Sequence, residues 1–429
     1  MWRKKIATIS CIASFIFSAS GGHAANVAII DTGIYNIPGW IDSSVRDYYG
    51  EWDHVYNDWY PYDYHGHGVM VTLAFLNYAL GIPEAAPRIT ALRAGDATGS
   101  FPVSSMYYAI TDAGGMLNNW DRYNSGGPLR LTGDYAIDVI NMSFGTPGYN
   151  VFNHIAMNNV YFNSDALIII AAGNSGAAEP DDPANLARFM GTRGIAVGAC
   201  DPAGNMHAYS NRAGTLSPYS YICAHAEASG PWAGTSFAAP RVSGTASIIK
   251  DRWPHLTGFQ IGDILLSTAT DRGAPGVDPI YGRGMMNWAA ALSPGGGRWY
   301  SLGGQAYSYD DSDIRVSTVL GEISRVGESV SFFDRFDRDF ETTIAVARVP
   351  ISSLLKREMQ SSYLGPRNHT LSEMGGSRWS FSSNLATERP NKLEDLSFGF
   401  RFKNHKGTTH IGYGEKTVGI RSPNAFPPT

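Results

Sequence analysis

The sequence predicts an α/β protein built on a largely parallel sheet. Three observations carry that expectation. From Val27 to about Leu292, short apolar runs alternate with segments of helical period, and glycine stands at the joins. Runs such as Ile168-Ile169-Ile170 are continuously apolar, as strands covered on both faces require. The composition, 43% apolar and 17% charged, suits a packed globular chain.

Buried strands are expected at residues 27–30, 89–92, 137–142, 166–171 and 195–197. Helices are expected at 66–79, where Val69, Leu73 and Leu76 keep helical spacing, and at 104–118 and 258–268. A further helix is expected at 236–250, where Val242, Ala246 and Ile249 do the same. At Ser293-Pro294-Gly295-Gly296-Gly297 the composition shifts, which marks a domain boundary. Residues 294–429 then form a smaller, irregular or β-rich extension of unassigned role. It carries a charged stretch at 334–339 and a β-hairpin pattern over 396–413.

Residues 1–25 read as a secretory leader: Arg3, Lys4 and Lys5, an apolar stretch over 6–17, then small residues ending at His23-Ala24-Ala25. Export is therefore expected, and the mature catalytic domain spans 26–293. The apolar stretch is shorter than the roughly 20 residues a membrane helix needs, so no transmembrane helix is expected in the mature chain. Losing the three basic residues takes the net charge from −5 to −8, which argues against nucleic acid or an anionic membrane as partner. Cys200 and Cys223 then remain, and in an exported chain they are expected to pair. The bridge would close a loop worth roughly 3 kcal/mol in the chain-entropy account. Two unpaired buried thiols are the alternative.

Four polar residues stand where this fold places its chemistry. Asp31 ends the strand Val27-Ala28-Ile29-Ile30, at the carboxyl edge of the sheet. Asp-Thr-Gly alone is equally a turn. His65 precedes a helical segment, where the positive end of the helix dipole favours a neutral base. Asp63, His65 and His67 as metal ligands is the weaker reading, because no further His or Cys cluster has zinc-like spacing. Asn174 follows the strand ending in Ala171-Ala172-Gly173, where its amide can donate to a developing negative charge; a turn asparagine is the plain alternative. Ser236, in Gly234-Thr235-Ser236-Phe237-Ala238-Ala239-Pro240, begins a helix whose free amides can face an oxyanion. A helix-capping serine would explain the hydroxyl but not the density of small residues around it. A carboxylate, an imidazole, a carboxamide and a hydroxyl at one sheet edge are the inventory of acyl transfer.

The same residues resemble the subtilisin-like serine proteases. Residues 28–33, His65-Gly66, Ile140-Asn141-Met142-Ser143-Phe144-Gly145, Ala171-Ala172-Gly173-Asn174 and the serine motif match that family in its order of Asp, His, Asn, Ser. Tyr281-Gly282-Arg283-Gly284-Met285-Met286-Asn287 matches its usual ending, and the similarity is nearest to bacterial autotransporter-type subtilases. The resemblance implies a subtilisin-like three-layer fold and a serine endopeptidase with the triad Asp31, His65 and Ser236, with Asn174 at the oxyanion. It implies substrate pairing along Thr98, Gly99 and Ser100 and along Ser143, Phe144 and Gly145. The primary pocket would lie between the latter and Ala171, Ala172 and Gly173, and Asp181 and Asp182 nearby would favour a basic side chain there. Protein or peptide substrates are implied, and no cofactor for the chemistry; structural calcium, side-chain preference and oligomeric state stay open.

Three features depart from the family. His67-Gly68-Val69 stands where Thr-His-Val commonly follows the histidine and its glycine. No room is left for an inhibitory pro-region before the first strand, and about 136 residues after the boundary do not suit a barrel of a dozen strands. The rival readings are a non-catalytic binding module on the same fold, and a surface protein anchored through its C-terminal region.

Overall fold

The computed structural model describes residues 24–34, 50–79 and 87–302, together with 305–308, 315–317, 329–343, 347–349, 367–374, 377–383, 396–404, 407–413 and 419–421. The expected leader lies outside these residues except for Ala24 and Ala25. Two compact units divide the chain, one ending at Ser293 and the other starting at Pro294.

The first unit holds seven parallel strands: β1 (Asn26–Asp31), β2 (Trp52–Asp53), β3 (Arg88–Arg93), β4 (Val139–Met142), β5 (Leu167–Ala171), β6 (Gly194–Cys200) and β7 (Tyr221–His225). Their order is β2-β3-β1-β4-β5-β6-β7. The order reverses beside β1, so the crevice that ligands occupy in such sheets opens at the carboxyl ends of β1 and β4. Both faces are covered. On one, Ala28, Ile30, Ile140, Met142, Ile168 and Ile170 pack with the helices α2 (Val103–Ala113) and α4 (Val151–Asn163). On the other lie α1 (His67–Ala79) and α5 (Thr235–Arg252). A short α3 (Trp120–Asn124), then α6 (Gly258–Ser267) and α7 (Trp288–Ala291), complete the helices described. No described helix is long and apolar enough to cross a membrane.

α5 is a core helix, buried on nearly every side, and it lies against α1 at Gly244. A β-carbon there would come 3.0 Å from Tyr78 Cβ and 3.1 Å from the Phe75 carbonyl oxygen, so the two backbones approach only because the side chain is missing. This crossing brings the N-termini of α1 and α5 to the same crevice.

The differences from the sequence reading have local causes. α2 stops at Ala113, five residues earlier than expected, where Gly114 and Gly115, the latter at φ +71°, end it. α4 escaped notice because its buried stripe is Asn153, Ala156, Met157 and Val160: the asparagine breaks the apolar period, and Asp182 satisfies its amide. The expected disulfide is a correction, since Cys200 and Cys223 are buried free thiols. In the β6–β7 register Cys223 stands opposite Gly198, and Cys200 opposite His225. The two thiols are thus neighbours across parallel strands. Hydrogen bonding with the Cys200 thiol, then burial, push the Cys223 thiol well above its ordinary value.

The second unit is β-rich. β8 (Trp299–Leu302), β9 (Gln305–Ser308), β11 (Ser329–Phe333) and β12 (Asp339–Thr343) form one sheet, and β10 (Arg315–Ser317) pairs with β13 (Ala347–Val349). The charged stretch at 334–339 is the β11–β12 turn, pinned by a buried Asp334–Arg338 ion pair. β14 (Arg367–Met374), β15 (Ser377–Ser383), β16 (Leu396–Asn404), β17 (Gly407–Tyr413) and β18 (Gly419–Arg421) form an antiparallel meander. Its β16–β17 hairpin closes at Asn404 and Gly407, on the pattern seen in the sequence.

Candidate active site

Asp31 ends β1 with its carboxylate almost wholly buried, and its Oδ1 accepts from the Thr32 amide at 2.7 Å. The imidazole that meets it belongs to His67: Nδ1 lies 2.7 Å from Asp31 Oδ1. This corrects the sequence reading, which took His65. The exposed His65 packs instead on the turn at Gly99, where a β-carbon would come 2.7 Å from its Nε2.

The shift of two residues has a physical origin in Asp63. Its Oδ1 accepts from the amides of His65 and Gly66 at 3.0 and 2.7 Å, and its Oδ2 from that of Val69 at 2.8 Å. Residues 63–66 are thereby wound into a turn, with Gly66 at φ +95°, and the helix begins at His67 rather than at His65. The Thr32 hydroxyl donates to Asp63 at 2.8 Å and accepts from the Gly68 amide at 2.8 Å, tying the helix start to the end of β1. Gly68 rests directly on Gly33, leaving no room for a β-carbon.

His67 is a charged-state compromise. Burial alone would lower its pKa, but the charge and hydrogen bond of Asp31, helped by the charge of Asp63, outweigh it and hold the imidazole above the ordinary histidine value. The metal reading of Asp63, His65 and His67 finds no support, since the carboxylate caps a helix and the two imidazoles have separate partners. Among the described residues no cluster of three or more His, Cys, Asp or Glu is arranged around a metal.

Ser236 is the second residue of α5, and the ring of its neighbour Phe237 lies tilted against His67 with centroids 5.6 Å apart. Its hydroxyl donates to the Ser143 carbonyl oxygen at 3.0 Å, and Ser143 Oγ donates back to the Ser236 carbonyl at 2.9 Å. Ser143 Oγ accepts from Asn141 Nδ2, and Asn141 Oδ1 from Ser243 Oγ, a buried chain that holds the start of α5 against the end of β4. The polar residues of this chain were visible in the sequence, but their contacts span about a hundred positions and left no local signal.

Asn174 follows β5. Its Oδ1 accepts from the Thr235 amide at 2.8 Å and the Thr235 hydroxyl at 3.0 Å. The carbonyl end being fixed in this way, Nδ2 is turned outward and free to donate. Gly234, at φ +127°, passes the amide closely: a β-carbon there would lie 3.5 Å from Asn174 Nδ2.

The expected substrate segments differ from one another. Ser143, Phe144 and Gly145 continue β4, with Phe144 stacked on Phe101 at 4.7 Å, and Ala171, Ala172 and Gly173 continue β5 alongside. Thr98, Gly99 and Ser100 form a turn closed by Asp96, whose Oδ1 accepts from the amides of Thr98 and Ser100 while its carbonyl takes that of Gly99. The three amides of that segment are already donated. The segment from Tyr48 to Tyr64 is rich in aromatic residues, of which Tyr48 and Tyr49 lie outside the described residues. The rest is anchored by Arg93, paired with Asp53 at 2.7 Å beneath the rings of Tyr56 and Tyr64.

Residues 22–284 match the Subtilase family (Peptidase S8). The chain is 31% identical over 283 residues to Subtilisin Savinase of Lederbergia lenta, covering 63% of this chain and 91% of that one. It is 30% identical over 189 residues to serotype-specific antigen 1 of Mannheimia haemolytica, covering 40% of this chain and 20% of that protein. The crystal structure of a cold adapted subtilisin-like serine proteinase aligns with a TM-score of 0.44 at 22% identity, covering 61% of this chain and 86% of that one.

Proposed function

This chain belongs to the subtilase family and is a serine endopeptidase, and on that premise we propose that Asp31, His67 and Ser236 form its catalytic triad and that it acts on protein or peptide substrates outside the cytoplasm. The observation that carries the triad is the 2.7 Å contact between His67 Nδ1 and Asp31 Oδ1 at the start of a helix packed against the one that bears Ser236. The buried carboxylate holds the proton on Nδ1, which leaves Nε2 as the base.

In this reading Ser236 gives up its bond to the Ser143 carbonyl and donates instead to His67 Nε2. The imidazole takes the hydroxyl proton as Oγ attacks the substrate carbonyl, and the ion pair with Asp31 stabilises the imidazolium so formed. Asn174 Nδ2 and the Ser236 amide, one of the unpaired donors at the helix start, receive the oxyanion. His67 then protonates the leaving amine, and water, deprotonated by the same imidazole, releases the acyl group from Ser236. The leader pattern of residues 1–25 supports export.

A fluorophosphonate probe tests this reading. It should label the wild type and leave Ser236→Ala and His67→Ala unlabelled; equal labelling of the wild type and Ser236→Ala would end it.

A further inference from the structure

Between the ends of β4 and β5 lies a carboxylate that the mechanism does not use. The Asp181 amide donates to the Ala172 carbonyl at 2.9 Å, and one residue on, Thr146 and Asp182 exchange backbone hydrogen bonds. Residues 181–182 thus lace together the two walls that lead to Ser236. Side chains alternate along such a segment. Asp182 turns away and is fully buried, with Asn153 Nδ2 at 2.6 Å and His154 Nε2 at 3.2 Å. Asp181 turns inward: its Cβ lies 3.4 Å from where a β-carbon on Gly145 would stand, and its Oδ2 fills the place of a β-carbon on Gly173. Both walls present glycine here, so the side chain that projects between them is Asp181.

This carboxylate lacks what its counterparts have. Asp53, Asp112 and Asp334 each hold a buried arginine. Asp181 joins no ion pair among the described residues; the Asn211 side chain is its hydrogen-bond partner, and Asn211 is also committed to the Ala172 carbonyl. Burial accordingly raises its pKa. A half-buried anion without a cation is the arrangement that a substrate cation completes.

We propose that Asp181 is the specificity-determining residue of the primary pocket and selects substrates with arginine or lysine on the amino side of the scissile bond. The inference rests on the triad reading above. A long cationic side chain passing between the glycine walls pairs with the carboxylate at the floor, whereas an apolar side chain of similar length leaves that charge desolvated and unpaired. Asp182, already satisfied, takes no part.

Peptides matched except for Arg, Lys, Leu or Glu at that position provide the test, with the purified full chain and Asp181→Asn compared in kcat/KM and in labelling by a fluorophosphonate that carries no basic group. The wild type should favour Arg and Lys over Leu by about 10²-fold or more, the scale of a desolvated charge pair. Asp181→Asn should lose that preference, read as the ratio of kcat/KM for the Arg peptide to that for the Leu peptide. A labelled wild type that cleaves the Leu and Arg peptides equally overturns this inference and spares the triad; so does Asp181→Asn that keeps the preference. A wild type that takes no label overturns both.

Discussion

His67 Nδ1 lies 2.7 Å from Asp31 Oδ1, whereas His65, two residues earlier, rests on Gly99. The two histidines share the pattern His-Gly, and a single pair of substitutions separates their roles. His67→Ala should reduce kcat by a factor approaching 10⁶, a scale taken over from subtilisin, the worked case, and not obtained from this chain's geometry. His65→Ala, which removes an exposed side chain at the rim, should change kcat/KM by less than about tenfold. Steady-state hydrolysis of a peptide amide measures both, and the reverse ranking would return the base to His65.

The environment of His67 sets the pH profile. Its pKa stands above the ordinary value of 6.5, held there against burial by Asp31 and Asp63, and the neutral form is the base. kcat/KM should therefore rise with pH through a value above 6.5. Stability responds in the opposite sense. A folded-state pKa above the unfolded one contributes stability that is complete below the unfolded value and lost as pH rises through the folded one. Thermal unfolding of Ser236→Ala, which cannot digest itself, should show that loss over the pH range in which the wild type gains activity, and Ser236→Ala/His67→Ala should show it diminished.

Asn174 is aimed by Thr235, which holds its carbonyl end with two hydrogen bonds. Asn174→Ala should lower kcat by about 10² to 10³ with little change in KM, a magnitude again taken over from subtilisin. Thr235→Val removes the hydroxyl but keeps the backbone donor, so its effect on kcat should be smaller and in the same direction. A change confined to KM in Asn174→Ala would remove this amide from the oxyanion site.

Most of the sheet was legible because buried parallel strands are continuous apolar runs; Asp31 and Asn174 were legible because each closes or follows such a run, and Ser236 because small residues crowd the start of its helix. The choice of His65 as the partner of Asp31 followed a rule of periodicity. Val69, Leu73 and Leu76 suggested a helix reaching back to His65, but the buried face is Gly68, Val71, Thr72, Phe75, Leu76 and Ala79. Counted back along that stripe, the helix begins at His67, and the sequence His67-Gly68-Val69-Met70-Val71 then falls into the family's frame with Val71 in place. What no local pattern carried was the capping by Asp63, a hydrogen-bonding role for a residue weighed only as a metal ligand. The expectation of paired thiols rested on the number of cysteines and on export, and neither shows whether two neighbouring thiols are joined.

Behind the crevice, a buried cluster of three polar side chains ties three segments together. Asp112, in α2, is met by Arg122 of α3, with Nη1 at 3.3 Å from Oδ1 and Nη2 on Oδ2, and by His54 Nε2 at 3.2 Å. Burial would raise the Asp112 pKa, but the charge of Arg122 and the contact with His54 prevail and hold it below the ordinary aspartate value. Its contribution to stability is therefore present above the unfolded pKa and lost as pH falls through the folded one. Asp112→Ala leaves Arg122 buried without its anion and should cost about 3–5 kcal/mol, read from denaturant unfolding in the Ser236→Ala background. Replacing both charges, as Asp112→Leu with Arg122→Met, should cost distinctly less, because no lone charge remains in the interior. If the double replacement were as damaging as Asp112→Ala, packing around these side chains, rather than their charge, would be what joins α2 to α3.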